Sequence, residues 1–287
     1  MTTADAFVLS DKEQQRRQYR RDRKRRSTLI AVVSTLVFAA AAWLVVINAP
    51  GFTSARETFL SGHSFVHDTP DIARGLLTDL KILVIAEPTI LVLALIVATM
   101  RTSISPVLAP LRICGALFVD LFRGCPTLIL LILFGVGIPS LRLAHVTNSA
   151  AFWGSLAIIL SYTAFVTEVF RAGIQSVHPS QRAAARSLGL TQRQTLRLVV
   201  LPQAIRNVVP ALLNDFVSLQ RDVGLISIVG AVTDAIQQAN IDNQETFNFT
   251  PYVIAAIMFV LLAAPTGRLA DRYNLRAYQR QQAGAAV

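Results

Sequence analysis

The sequence predicts an all-α, polytopic membrane protein with six transmembrane helices, and three observations carry that prediction. Hydrophobic residues make up 53% of the 287 and charged residues only 15%, with a mean hydropathy of +0.50, too apolar for an ordinary soluble domain. The apolar residues fall into runs of roughly 20, long enough to cross a hydrocarbon core of about 30 Å. Lys and Arg gather on alternate connections between the runs, as positive-inside sorting requires.

Residues 1–27 are polar and basic. Arg16, Arg17, Arg20, Arg21, Arg23, Lys24, Arg25 and Arg26 crowd together and supply much of the net charge of +10. Directly before an apolar run, such a block reads as a cytoplasmic anchor against anionic lipid, a mobile tail that becomes helical near the surface. Its low aromatic content argues against a nucleic-acid platform. Residues 28–48 form the first span, and the lack of a small-residue cleavage pattern after Trp43, Leu44 and Val45 makes it a retained helix rather than a signal peptide. Ala49, Pro50 and Gly51 break it, and 49–72 is the first outer segment. His63, His67 and Asp68 have a metal-like spacing there, though a polar outer loop is the plainer explanation and no metal is assigned.

The second span runs from about Leu76 to Met100, with Glu87 and Pro88 in its outer half and a kink expected at the proline. Arg101 and the turn Ser103 to Pro106 return the chain to the cytoplasm. From Val107 to Ile138 the apolar pattern is interrupted at Arg123-Gly-Cys-Pro126, which predicts a surface-lying helix before the break and a crossing one after it. Cys114 and Cys125 lie about 16 Å apart if helical, beyond disulfide reach, and read as packing residues. The fourth span is roughly Ala150 to Phe170. After the cytoplasmic loop comes a helix from about Pro202 to Gln220, a polar interruption at Arg221-Asp-Val-Gly224, and an apolar continuation to Val232. The outer segment Thr233 to Thr250 holds Asp234, Asp242 and Glu245 and no Lys or Arg. The last span, about Tyr252 to Ala270, leads to Arg268, Arg272, Arg276 and Arg280. Arg101, Arg112, the arginines from Arg171 to Arg197 and this C-terminal set all fall inside, so six spans place both termini in the cytoplasm.

The loop at about 173–201 stands apart, because it is polar and helical between two apolar segments. Gln181 to Leu188 contains good helix formers, and Gly189 sits where a left-handed residue would end the helix. Thr191 with Gln194 has capping-box spacing, and Pro202 is expected to stop the second helix near Val200. Ala184, Leu188, Leu196 and Val199 make apolar stripes, with Arg182, Arg186, Arg193 and Arg197 elsewhere. Such a pair should dock onto another protein. A DNA-binding helix-turn-helix is the competing reading, weakened because apolar spans on both sides leave no chain for a third helix. An ordinary surface loop is the third.

The residues resemble a known family closely. Ala183, Ala184, Ala185, Leu188, Gly189, Leu190, Leu201 and Pro202 fit the coupling motif of the permease subunits of ABC importers for polar amino acids, which have the type I importer fold. That motif is Glu-Ala-Ala, a spacer, Gly, a second spacer and an apolar-Leu-Pro ending. Phe122-Arg-Gly-Cys-Pro126, with Arg123, Gly124 and Pro126, is similar to a Phe-Arg-Gly-Thr-Pro signature. Glu168 to Gln175, including Arg171, is similar to the run before the loop, and Leu201 to Arg206 with Asn214 to the run after it. The resemblance covers about Leu76 to Arg272, which makes 73–272 a permease core, 28–48 an extra helix and 273–287 a cytoplasmic tail. Two departures stand out: Ala183 replaces the motif Glu, and Arg221-Asp-Val-Gly-Leu225 replaces a Lys-Asp-Thr-Ser-Leu run.

The chain has no Gly-x-x-x-x-Gly-Lys-Ser/Thr loop, so it cannot itself cradle ATP phosphates. The resemblance implies a non-enzymatic subunit of the bacterial cytoplasmic membrane, with ATP and Mg bound by a dimer of partner ATPases. It further implies a second permease subunit, an extracytoplasmic binding protein and no nucleic acid. The cargo would be a polar amino acid of the glutamate, glutamine, histidine or arginine class, with a non-amino-acid solute as the alternative. Charges inside spans are costly and need a reason. Glu87, Asn214, Gln220, Arg221 and Asp222 are therefore candidates for the pathway, with an Arg221–Asp222 pair, an interfacial Glu87 and a helix-bridging Asn214 as structural alternatives.

Overall fold

The computed structural model describes residues 11–102, 106–230 and 232–285, and all regular structure among them is helical. Two compact units are distinguished, residues 1–57 and 58–287.

The first unit is dominated by α1, Asp11–Ile47, a 37-residue helix. The basic segment is helical from Asp11 onward and continuous with the apolar part of the helix; residues 1–10 lie outside the described ones. Arg, Lys, Glu and Gln are strong helix formers, and neither Gly nor Pro interrupts the stretch. Its part Arg23–Ile47 is long and apolar enough to cross a membrane. Short helix α2, Phe52–Phe59, follows at the unit boundary.

In the second unit, α3 (Gly62–His67) leads into α4 (Thr69–Thr102), which continues through Pro88 without interruption. A 3₁₀ turn at Pro106–Leu108 precedes α5, Ala109–Gly124. Cys125 is extended (φ −92°, ψ 131°), as a residue before proline prefers, and this ends the helix. Helix α6 (Thr127–Ile132), a π-turn (Leu133–Gly137) and α7 (Ile138–Ser140) follow, and this limb bends by 101° from the α5 limb. The break predicted at Arg123–Pro126 is present. The limb from Thr127 to Ser140 rises only about 21 Å, short of the hydrocarbon thickness, so the bent pair is either one broken span or a re-entrant loop.

Helix α8, Ala150–Gln175, lies at the centre. Its small and apolar residues Ala157, Ile158 and Val166 pack in one core with Ala86, Ile90 and Ala94 of α4 and Leu219 and Ile226 further on. Small side chains let backbones approach closely where apolar lipid gives no hydrophobic drive. At Gly173 an added Cβ would stand 2.0 Å from Val208 Cγ1.

The loop holds α9 (Pro179–Ser187) and α10 (Gln192–Thr195). The expected stop before Pro202 does not occur. A π-turn at Leu196–Val200 runs directly into α11, Leu201–Asp222, and a 3₁₀ segment, Val223–Val229, completes a path from Gln192 to Val229. The π-turn explains why. Leu201 N–H bonds Leu196 C=O five residues back, which widens the turn where the proline ring would otherwise strike the preceding coil. The same device stands before Pro139, where Ile138 N–H bonds Leu133 C=O.

Helix α12 (Ala235–Thr246) packs Ala235 and Ala239 on Ile72, Ile254 and Ala255, and α13 (Thr250–Ala285) closes the bundle. Asp234 caps α12, accepting from Gln237 N–H at 2.7 Å, and its burial raises its pKa to about 6. Five helical stretches among the described residues are long and apolar enough to span a membrane, or six with the bent pair.

Candidate functional site: a helix pair and a polar cluster between spans

The helix pair is built by local chemistry. His178 caps α9 with Nδ1 accepting from Ser180 N–H at 3.2 Å, and Pro179 occupies a first-turn position where no N–H is needed. Gly189 takes φ +83° and nothing lies within 4 Å of where its Cβ would be. Leu190 N–H reaches back to Ala185 C=O at 3.2 Å, closing the end of the helix. The Thr191 capping box is complete: Thr191 N–H donates to Gln194 Oε1 at 2.8 Å, and Gln194 N–H to Thr191 Oγ1 at 3.3 Å. The helix that opens at Gln192 runs on unbroken into the apolar α11, so it does not stand free as a DNA recognition helix would.

Burial sorts the faces. Ala185, Thr195 and Val200 point into the protein, and Val200 joins Ile174, Val177 and Ala204 in a small core. Ala183, Ala184 and Gly189 are exposed, Leu188 is 84% exposed, and Leu190 and Leu201 are half-buried. Pro202 opens α11. Arg182 turns inward and donates to Ile174 C=O.

A charged joint ties the entrance of this loop to the bundle. Glu168 accepts from Arg171 Nε at 2.9 Å and also from Arg101 of α4. Both Glu168 and Arg101 are largely buried, with side chains 14% and 15% exposed. Arg171 Nη1 donates on to Gln175 Oε1 at 2.9 Å. The local Glu168–Arg171 bond follows from helical spacing. Arg101 is a long-range partner that spacing does not reveal. Arg123 lies over the Phe165 ring at 6.0 Å, at the break made by Gly124 and Pro126.

The second constellation lies among the spans. Tyr162 Oη donates to Asp222 Oδ2 at 2.7 Å, and Arg221 donates to Ser218 Oγ at 3.2 Å, so each member of the Arg221–Asp222 sequence pair has a different partner. Gln220, buried, accepts from Thr266 Oγ1 at 2.9 Å. Glu87 on α4 is within electrostatic reach of Asp215 on α11, and Tyr162 of both Asp215 and Asp222. Asn214 is exposed on α11. Tyr162 and Asp215 join this group although sequence reasoning passed over them; an Asp directly after Asn214 within an apolar span was the available signal. Just before α4, His67 Nδ1 lies 3.2 Å from Asp68 Oδ1, and the His63 and His67 rings stack at 5.7 Å.

The family model described as binding-protein-dependent transport system inner membrane component matches residues 90–277. The chain belongs to this family. It is a multi-pass inner membrane permease of an ABC transporter, works in a system with a binding protein, and is not itself the ATPase. It is 34% identical over 183 residues to the probable glutamine ABC transporter permease protein GlnM of Bacillus subtilis (strain 168), covering 63% of this permease and 82% of that one. It is 28% identical over 195 residues to the arginine transport system permease protein ArtQ of the same organism, covering 67% and 86%. The crystal structure of an amino acid ABC transporter with histidines aligns at TM-score 0.67 and 31% identity, over 76% of this permease and 99% of that chain. The MetNI methionine transporter, at 22% identity and TM-score 0.59, shares the fold. The permease thus has the ABC importer transmembrane fold that its motifs imply.

Proposed function

We propose that this permease imports a polar amino acid, delivered by an extracytoplasmic binding protein and driven by a cytoplasmic ATPase dimer that binds ATP and Mg. The observation that carries this reading is the exposed face of α9, with Ala183, Ala184 and Leu188 turned outward beside a left-handed Gly189. An apolar surface held by capped helices between two spans is suited to a groove on another subunit. Ala183 offers no carboxylate, so docking rests on shape, with Leu190, Leu201 and Pro202 holding the connection to α11. The arginine distribution favours this loop and both termini on the cytoplasmic side. A second permease subunit faces this one, and the missing carboxylate favours a distinct sister chain.

The cargo assignment draws on the polar cluster. Glu87, Asp215 and Asp222 are three carboxylates near one Arg221, with Tyr162, Gln220 and Asn214 as neutral neighbours. Such an excess of negative charge between spans suits an ammonium or guanidinium group. Relatives named for glutamine and arginine transport agree with that chemistry. Titrating the cognate binding protein with polar amino acids in a calorimeter tests the cargo. Heat with at least one of them is expected; none with any of them would defeat the assignment.

A further inference from the structure

Behind the helix pair lies a cavity of about 1260 Å³ that the transport reading leaves unused. Five guanidiniums line it: Arg101 from α4, Arg112 from α5, Arg171 from α8, and Arg182 and Arg186 from α9. No carboxylate lines it among the described residues. Glu168, set outside the lining, accepts from Arg101 and Arg171, and among the described lining residues no carboxylate balances Arg182 and Arg186. Like charges converging on one space repel unless an anion enters. Two buried polar atoms in the same wall, Arg182 Nε and Thr195 Oγ1, have no hydrogen-bond partner among the described residues. Thr195 itself is 5% exposed. Guanidinium forks and a hydroxyl are donors matched to the oxygens of a phosphate.

We propose that this cavity binds a phosphate-bearing anion, and that its source is the headgroup of an anionic phospholipid. The lining includes the ends of the spans α4 and α8, where headgroups lie, and beside its polar Thr and Gln residues it carries an apolar patch with Ile174, Leu196 and Val200. A free phosphate would fill a small part of the volume; a headgroup with the start of its acyl chains uses both kinds of wall. The lipid source rests on the inner-face placement of the loop, whereas the phosphate chemistry rests on the side chains alone.

The test uses the complete transporter in nanodiscs of phosphatidylcholine mixed with phosphatidylglycerol, with retained lipid read by native mass spectrometry. Phosphatidylglycerol is expected to be retained over phosphatidylcholine. Combined Arg112→Gln and Arg186→Gln, both at exposed positions, should lower that retention about tenfold. Arg197→Gln, an exposed arginine of the same loop outside the cavity, should leave it unchanged. In a second arm inorganic phosphate is titrated into delipidated complex: a thermal shift that the double variant abolishes, without lipid preference, keeps the phosphate site and makes free phosphate its source. Equal retention of both lipids with no phosphate shift overturns the proposal. So does loss of the ATPase from the double variant with lipid retention intact, which would assign the arginines to an acidic partner surface. Lipid retention is read without ATP or cargo, so this outcome and the import reading stand or fall separately.

Discussion

Arg101 holds Glu168 from a neighbouring helix while Arg171 holds it from one turn away. Arg101→Gln leaves a largely buried carboxylate with one guanidinium and should lower stability by about 1–3 kcal/mol, read as thermal unfolding in detergent. In a Glu168→Gln background the same Arg101→Gln change should cost clearly less, because the carboxylate that Arg101 holds is already gone; an equal cost in both backgrounds would mean that the pair is not coupled. Asp234 gives a pH signature of opposite origin. Its carboxyl is buried, next to Asp79, and titrates near 6 rather than near 3.8. The folded protein therefore binds a proton more tightly than the unfolded chain there. That contribution is fully present below about pH 4, is lost as pH rises toward 6, and amounts to at most about 3 kcal/mol. Asp234→Asn keeps a good N-cap and should flatten the dependence of melting temperature on pH across this window.

Several elements were legible in the sequence because one local rule decided each of them. Gly189, the Thr191–Gln194 box and the Cys125–Pro126 break are such cases, and all three stand where the spacing placed them. Where two rules competed, the prediction failed. Pro202 was expected to stop a helix, yet a π-turn absorbs it, because packing of Val200 against Ile174 and Ala204 favours a continuous path. Long-range partners such as Arg101 for Glu168, or Tyr162 for Asp222, left no trace in spacing, since tertiary packing alone brings them together. The meeting of α8 and α11 makes a further test at this scale. Gly173→Val would place a methyl group within the space of Val208 and should lower stability by about 1–3 kcal/mol. Val208→Ala in the same protein should relieve most of the effect, and a failure to do so would mean that the contact is not limiting.

At the scale of the whole molecule, ATP-driven closure of two ATPases would draw the helix pairs of two permeases together, and the bundle would turn that movement into opening between the spans. The arrangement suits such transmission. The loop is joined rigidly at both ends, through the Arg101–Glu168–Arg171 joint on α8 and through the unbroken path from Gln192 into α11. The measurement that tests this account most directly is ATP-driven uptake by the complete transporter in proteoliposomes, comparing Gly189→Arg with Gly189→Asn. Asn tolerates the left-handed backbone and is small, so uptake should persist; Arg strains the turn and projects into the docking face, so uptake should cease while the protein remains in the membrane. Unchanged uptake by Gly189→Arg would contradict the docking role of the helix pair.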